Sequence, residues 1–386
     1  MIEPHRAGAE RQSALRKAAR AAEHVSGWTH NFYRYPARFS PAFAQAAIAH
    51  YSRPGDVIVD PYMGGGTTIV EGLVARRRPI GSDLNSLATF VASVKTTRLS
   101  LSECRAIQAW AVKRVPEISY HDRPCGIDRI VDKSKTKNLS LPRARFLKKF
   151  IATALLSVQE LPTETARRFA KCAVLNTGQW ALDGRRARTT VEEFRRRLAE
   201  RTSDMLHAMR AFSAHVQGAA PTLLNVNAAV LHEQIAFATC PPASLVVTSP
   251  PYPGVHILYH RWQVNGRRET AAPYWIAGCN DGEGASFYNF ADRRDPAGDK
   301  YFSASLRTLQ SIRKVMKNGA YMVQLVAFSR PDEHLPRYLA NMRDAGFDEE
   351  TGQGRIWRAV PNRKWHANLI GITHSAREVV LVHRAS

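Results

Sequence analysis

Apolar residues recur along the 386-residue chain in two rhythms, and their alternation sets the expected architecture. Short apolar runs such as Val57-Ile58-Val59 and Leu245-Val246-Val247 are bounded by Pro, Gly and polar residues, and they predict buried strands. Between such runs, apolar positions three and four apart predict helices: Val70, Leu73 and Val74, and later Leu306, Leu309, Ile312, Val315 and Met316, with Lys317-Asn318-Gly319 as a terminator. Further strands are expected at Pro79-Ile80-Gly81, ending at Ser82-Asp83, at Leu223 to Asn227 and at Ala320 to Val326. Another helix, about 334–345, ends at Gly346, and two final strands near 355–360 and 377–383 are expected to be antiparallel. Strands alternating with helices predict an α/β fold with a doubly wound sheet.

Two stretches depart from this alternation. Residues 1–27 carry Arg6, Arg11, Arg16, Lys17 and Arg20 among many alanines and predict a basic N-terminal helix. Residues 95–220 hold 25 Lys and Arg against 12 Asp and Glu. Within them, Lys133-Ser134-Lys135-Thr136-Lys137-Asn138 reads as a basic loop, and Arg143, Arg145, Lys148 and Lys149 continue the charge. Thr190 and Glu193 form a capping box ahead of Val191, Phe194, Leu198, Met205, Met209, Phe212 and Val216 on one helical face. This predicts a mainly helical insertion with a basic exterior, either a solvated bundle or a surface for a polyanion.

Charge narrows the function classes. The whole chain has 55 Lys and Arg against 33 Asp and Glu, a formal net charge of +22. Such an excess suits a phosphate-backbone partner, with solubility as the plainer reading. The scattered cysteines Cys104, Cys125, Cys172, Cys240 and Cys279 have no metal-ligand spacing, so no metal is expected and a reducing compartment is. No apolar run approaches a membrane span, and the expected location is cytoplasmic.

Candidate chemistry sits where strands meet turns. After Val57-Ile58-Val59 comes Asp60-Pro61-Tyr62-Met63-Gly64-Gly65-Gly66-Thr67-Thr68, a strand, glycine turn and helix start that lets a ligand approach the backbone and a helix N-terminus. Without a following Lys it is not an NTPase phosphate loop. Asp83, 23 residues after Asp60, stands at the end of the next strand, where an acid binds ribose hydroxyls or merely caps a helix. Together they indicate a nucleoside-bearing cofactor. The aromatic segment His30-Asn31-Phe32-Tyr33-Arg34-Tyr35-Pro36-Ala37-Arg38-Phe39-Ser40-Pro41 suits either a lid over a flat or cationic ligand or a plug under the helix near Phe43 to Ile48. Thr248-Ser249-Pro250-Pro251-Tyr252 closes the Leu245 strand as a stiff, aromatic-tipped turn. The loop 253–300 interleaves Tyr259, His260, Arg261, Trp262, Tyr274, Trp275, Phe287, Tyr288 and Phe290 with Arg267 and Arg268, which suits unstacked bases or a small core.

In this order the motifs resemble those of the S-adenosylmethionine-dependent DNA methyltransferases that modify exocyclic amino groups. His30 to Pro41 looks like their cofactor-packing motif, with Tyr35 and Phe39 as contacts. Asp60, Pro61, Tyr62, Gly64, Gly66, Thr67 and Thr68 match their cofactor turn, and Asp83 their ribose acid. Ser249-Pro250-Pro251-Tyr252 matches their catalytic tetrapeptide in the variant usual for N4-cytosine enzymes. Gly65 stands where serine is usual, and Asn227 where an aspartate often meets the adenine of the cofactor. The resemblance covers 28–94 and 222–386.

It implies a Rossmann-like methyltransferase sheet, with a catalytic domain over 28–94 and 221–386 and target recognition in 95–220, in 253–300 or in both. It implies a prokaryotic, nucleoid-associated enzyme that transfers methyl from S-adenosylmethionine to cytosine N4, in duplex DNA with the target base flipped out. A cognate restriction enzyme is the partner implied alongside DNA. Ser249 Oγ and the Pro250 carbonyl would accept the amine's two N–H bonds and free its lone pair, while Tyr252 stacks on the base. Adenine N6 offers the same amine beside a ring acceptor and is the nearest alternative. RNA methylation, and a non-catalytic nucleic-acid-binding scaffold, are the others.

Overall fold

The β-branched run Val57-Ile58-Val59, buried on both faces, becomes the centre of a sheet. The protein is seen in a computed structural model that describes residues 3–21, 25–36, 38–119, 121, 125–142, 144–184, 189–253, 261–264, 268–282, 288, 290, 298–328, 330–350, 354–359 and 377–386. Among these, strands β1 (Val57–Asp60), β2 (Arg78–Ser82), β3 (Thr222–Leu224) and β4 (Ala243–Thr248) precede a hairpin, β5 (Trp262–Val264) with β6 (Arg268–Thr270). Strands β7 (Met316–Ala327), β8 (Phe347–Glu349), β9 (Ile356–Ala359) and β10 (Arg377–Ala385) follow.

The main sheet runs β3-β2-β1-β4-β7-β10-β8, with β9 also on β10. The strands from β3 to β7 are parallel, and β10 is antiparallel to β7, β8 and β9. The expected α/β class and doubly wound sheet are therefore observed. Strand order reverses between β1 and β4, and in open α/β sheets the crevice beyond that point holds the ligand. Asp60 ends β1 and Thr248 ends β4, so both sequence motifs open onto this crevice.

Helices cover the faces. The N-terminal helix α1 (Glu3–Arg20) buries Leu15 and Ala19 in a core shared with Phe39, Phe43, Ile48 and the inner residues of β4, β7 and β10. Ser40 caps α2 (Pro41–Tyr51) by accepting the Phe43 amide, with Pro41 at the first helical position. The helix α3 (Thr67–Val74) starts at Gly66, and Asn85 caps α4 (Ser86–Thr96). Between β2 and β3 lie α5 (Leu101–Ala109), α6 (Arg145–Val158), α7 (Glu164–Leu182) and α8 (Val191–His215), whose Thr190–Glu193 capping box is formed. They share one hydrophobic core with α4 and with Phe32, Tyr33 and Tyr35. Along α8, Arg195, Arg196, Arg197 and Arg201 pair with Glu192, Glu200 and Asp204 one turn away, so part of its charge is balanced locally.

The last part of the chain adds α9 (Ala272–Ala277), α10 (Asp299–Lys314) and α11 (Pro331–Asp344). Lys317-Asn318-Gly319 does not terminate a helix as the pattern suggested. The helix α10 has already ended, and β7 begins at Met316 opposite Ala243. The next pairing is Leu245 with Tyr321, so the intervening residues bulge out, with Gly319 at φ 75°. Ala37, Arg143, Tyr259, His260, Arg267 and Phe287 lie outside the described residues. Among the described residues, no helix is long and apolar enough to cross a membrane.

Candidate active site

The glycine turn is folded by its own backbone and by Asp83. Gly64 and Gly66 take φ 47° and 76°, the left-handed region that glycine enters without strain. The Gly66 amide donates to the Met63 carbonyl at 2.7 Å, and the Met63 amide donates to Ser82 O at 3.0 Å, tying the turn to β2. One Asp83 oxygen accepts the Gly64 amide at 2.9 Å and the other accepts the Asn85 amide at 2.8 Å. Asn225, which sequence reasoning passed over, donates its amide to Asp83 O at 2.8 Å and to Leu84 O at 3.0 Å, holding β3 against the end of β2. Burial pushes the Asp83 carboxyl up to about 6, against the pull of its two amide donors.

These elements enclose a cavity of about 290 Å³ at the switch point. That lies near the lower end of the roughly 300–1,000 Å³ usual for small-molecule sites. Of the residues expected to bind cofactor, Tyr35, Phe39, Pro61, Tyr62, Gly64, Thr67, Asp83 and Asn227 line it. Ser249, Pro251 and Tyr252 line it too, so the two motifs share one chamber. The aromatic segment does both things its composition allowed. Tyr35 and Phe39 face the cavity, while Phe32 and Tyr33 are buried in the helical core and Phe39 packs edge-on against Phe43.

Three expected cofactor contacts and one catalytic residue stand off the wall. Asp60 is 1% exposed, and its carboxylate accepts Thr68 Oγ1 at 2.7 Å, Thr248 Oγ1 at 2.6 Å and the Tyr62 amide at 3.2 Å. It therefore braces the glycine turn against the end of β4, and Asp60 and Thr68 spend their polar atoms on each other rather than on the cavity. Burial drives the Asp60 carboxyl up to about 6 despite these donors. Gly66 is turned toward α4, where a side chain would meet Ala92 Cβ at 3.0 Å. Pro250 is off the wall while Ser249, Pro251 and Tyr252 are on it. Pro251 O already accepts the Tyr301 hydroxyl at 2.8 Å.

Ser249 Oγ donates to Leu325 O on β7 at 2.8 Å and lies 2.9 Å from the Tyr252 hydroxyl. Tyr252 lines the cavity yet is only 6% exposed, and its hydroxyl donates to Glu378 Oε1 at 3.0 Å. Asn227 caps the following turn by accepting the Ala229 amide at 2.9 Å, with Ala228 and Ala229 beside it on the wall.

Sequence reasoning missed several wall residues. Leu84, Ala304, Arg307 and Thr308 carry no local signal, since an arginine on a helix is unremarkable among so many. Lys95 is also hidden in sequence. It is 1% exposed on α4 and donates Nζ to Gly65 O at 2.7 Å, and burial, then Arg38, brings its ammonium down to about 7. Of the aromatic loop, Tyr288 and Phe290 reach the cavity, whereas Trp262, Tyr274 and Trp275 are buried in the helical core. Those three therefore serve packing, not base stacking; the Trp262 ring closes on Gly178, where a Cβ would sit 2.8 Å from it.

The chamber suits a nucleoside bearing a cation. An acid fixed by two amides faces it, a helix opens at the glycine turn, and Tyr35, Phe39 and Tyr62 supply aromatic surface. At φ 47° a side chain on Gly64 would be strained and would press on the Tyr35 ring at 3.2 Å, so glycine suits this position.

The chain is similar in part to several known proteins. Residues 11–89 match the sequence model of the N6/N4 methyltransferase family, described as DNA methylase. The type II methyltransferase M.MjaII of Methanocaldococcus jannaschii is 25% identical over 124 residues, 31% of this chain and 23% of that protein. The type II methyltransferase M.MvaI of Kocuria varians is 32% identical over 110 residues, 27% of this chain and 24% of that one. The matched part thus spans about a quarter of the length of these curated relatives. Among solved structures, TrmN from Thermus thermophilus aligns with a TM-score of 0.34 and 11% identity, over 90% of this chain and 49% of that one. The rRNA methyltransferase aviRa from Streptomyces viridochromogenes aligns at 0.32 and 12%, over 92% and 90%. Scores this low describe a partial likeness of shape only. Through residues 11–89 the chain is similar to the DNA methylases that modify amino groups, and S-adenosylmethionine is the methyl donor this similarity implies for the chamber.

Proposed function

We propose that the protein is a DNA methyltransferase that transfers a methyl group to the exocyclic N4 of cytosine. The observation that carries this reading is the meeting of two motifs in one cavity: the Asp83-held glycine turn beyond β1 and Ser249 beyond β4. S-adenosylmethionine, when bound, supplies an electrophilic methyl on a sulfonium. Asp83 would take the ribose hydroxyls, Asn227 the adenine amine, and Tyr35, Phe39 and Tyr62 the flat and cationic parts.

The acceptor half is Ser249. An exocyclic amine is a weak nucleophile because its lone pair is conjugated with the ring. Ser249 Oγ, with its hydrogen committed to Leu325 O, keeps lone pairs that accept an amine N–H and favour a pyramidal nitrogen. Positioning and electrostatics then do the work, and no covalent intermediate is needed. Pro250 would offer its carbonyl to the second N–H, and the Tyr252 ring would give the base a flat neighbour. A cavity of about 290 Å³ cannot admit a duplex, so the base enters flipped out.

The helical residues 95–220 form the insertion proposed to contact DNA, and residues 28–94 with 221–386 the catalytic domain. The excess of Lys and Arg supports a phosphate-backbone substrate, and the proposed location is the cytoplasm. Incubation with radiolabelled S-adenosylmethionine and either duplex DNA or structured RNA tests the reading. Label should enter the duplex and be abolished by Ser249→Ala; label in RNA alone would overturn it.

A further inference from the structure

Behind Ser249 lies a buried chain of polar groups that the proposed chemistry does not by itself require. Glu378 on β10 is 1% exposed. Its Oε2 accepts Arg358 Nε of β9 at 2.7 Å, and Arg358 also donates Nη1 to Ala19 O of α1 at 3.2 Å. The other carboxylate oxygen, Oε1, lies 3.0 Å from the Tyr252 hydroxyl. That hydroxyl lies 2.9 Å from Ser249 Oγ, which in turn donates to Leu325 O at 2.8 Å. A buried ion pair is a weak source of stability, because desolvation offsets most of the attraction. Its position here, in contact with the tetrapeptide, points to another use.

Counting hydrogens gives that use. The chain ends in two groups that can only accept: the carboxylate of Glu378, kept charged by Arg358, and the carbonyl of Leu325. Between them stand two hydroxyls with one hydrogen each. The charge-assisted bond to Glu378 takes the Tyr252 hydrogen. Tyr252 then has none to give Ser249, so the Ser249 hydrogen stays inside, on Leu325 O or on Tyr252. The lone pairs of Ser249 are left for the cavity. If Glu378 could donate instead, the Tyr252 hydrogen would turn to Ser249 or to Leu325 O, 3.4 Å away. The Ser249 hydrogen could stay on Leu325 O, but a hydrogen from Tyr252 would then occupy one of the two Ser249 lone pairs and leave a poorer acceptor for the incoming amine.

We propose that Glu378, held by Arg358, is a positioning residue that keeps both lone pairs of Ser249 for the substrate amine, by holding the Tyr252 hydrogen away from it. This rests on the methyl-transfer reading above. The relay also couples α1, β9 and β10 to the acceptor motif.

The test is a double-mutant cycle in turnover on duplex DNA, with S-adenosylmethionine affinity measured by calorimetry for each variant. Glu378→Gln should lower kcat on the order of tenfold, the size of one well-placed hydrogen bond. Cofactor affinity should stay within about twofold, since Glu378 itself does not line the cavity. Tyr252→Phe is itself slower, and adding Glu378→Gln to it should change kcat by less than about twofold, because the link is already cut. A purely structural Glu378 would instead lower kcat equally in both backgrounds. Glu378→Gln leaves the Arg358 charge without its carboxylate, so Glu378→Gln with Arg358→Gln provides a second variant with the same expected kcat loss. Turnover of either variant within about twofold of wild type, or full additivity with Tyr252→Phe, overturns the relay alone. A wild-type protein that transfers no methyl to DNA overturns the relay together with the reading it rests on.

Discussion

Asp60 invites a quantitative test, because its charge is held in the interior by three neutral donors. Burial lifts its carboxyl from the ordinary 3.8 to about 6. At about 1.4 kcal/mol per pKa unit, carrying the charge in the folded protein costs about 3 kcal/mol. The folded-state value lies above the unfolded one. The favourable contribution is therefore complete below about pH 4, where both states are protonated, and is lost as pH rises through about 6. Asp60→Asn removes this dependence without orphaning a partner. The new amide can donate to Thr68 Oγ1, whose hydrogen then goes to Val247 O, already 3.2 Å away. Urea unfolding of the two proteins across pH 4 to 8 should show the variant gaining on wild type by about 3 kcal/mol as pH rises, with the smaller Asp60 contribution to the Asp83 shift removed as well. Since Asp60 is off the cavity wall, the variant should bind S-adenosylmethionine within a few-fold of wild type. Parallel stability curves, or a loss of affinity as large as that of Asp83→Asn, would refute the reasoning.

Three other outcomes follow from the same geometry. Gly65→Ser, which installs the residue usual in the resembling family, places Cβ 2.8 Å from Tyr35 Cβ and should cost about 1–3 kcal/mol in unfolding free energy, with weaker cofactor binding by calorimetry. Asp83 is pushed up to about 6, so it loses its negative charge as pH falls through that value. Cofactor affinity should therefore drop between pH 8 and pH 5 in wild type, and Asp83→Asn should bind weakly at both pH values. Tyr252→Ala removes cavity wall on the acceptor side and the Glu378 link together. It should lose most methyl transfer, roughly a hundredfold or more, while cofactor affinity measured by calorimetry is kept.

The parts of this fold legible in the sequence were those whose information is local. Val57-Ile58-Val59 and Leu245-Val246-Val247 are apolar on both faces because they lie in the middle of a parallel sheet, and the glycine turn between strand and helix needs left-handed residues at fixed places. The aromatic loop was less legible, because Trp262 and Tyr288 read alike in sequence although one fills a core and the other faces a cavity. Asp60 reads as a ligand contact by its neighbours in the chain, but its partners Thr248 and Thr68 come from two different elements. Lys95, Asn225, Glu378 and Arg358 had no signal at all: each acts on a residue distant in sequence, as Glu378 does on Tyr252, 126 positions away. The Lys317-Asn318-Gly319 misreading has the same origin, since only the pairing of β4 with β7 turns a helix stop into a bulge.

The central claim, that Ser249 presents an amine of DNA cytosine for methylation, is tested most directly by the modified nucleosides themselves. Plasmid DNA from a methylation-free host, treated with the protein and S-adenosylmethionine, is digested to nucleosides and read by mass spectrometry. The account predicts N4-methylcytosine with wild-type protein and none with Ser249→Ala. N6-methyladenine alone, or DNA that stays unmodified, would contradict it.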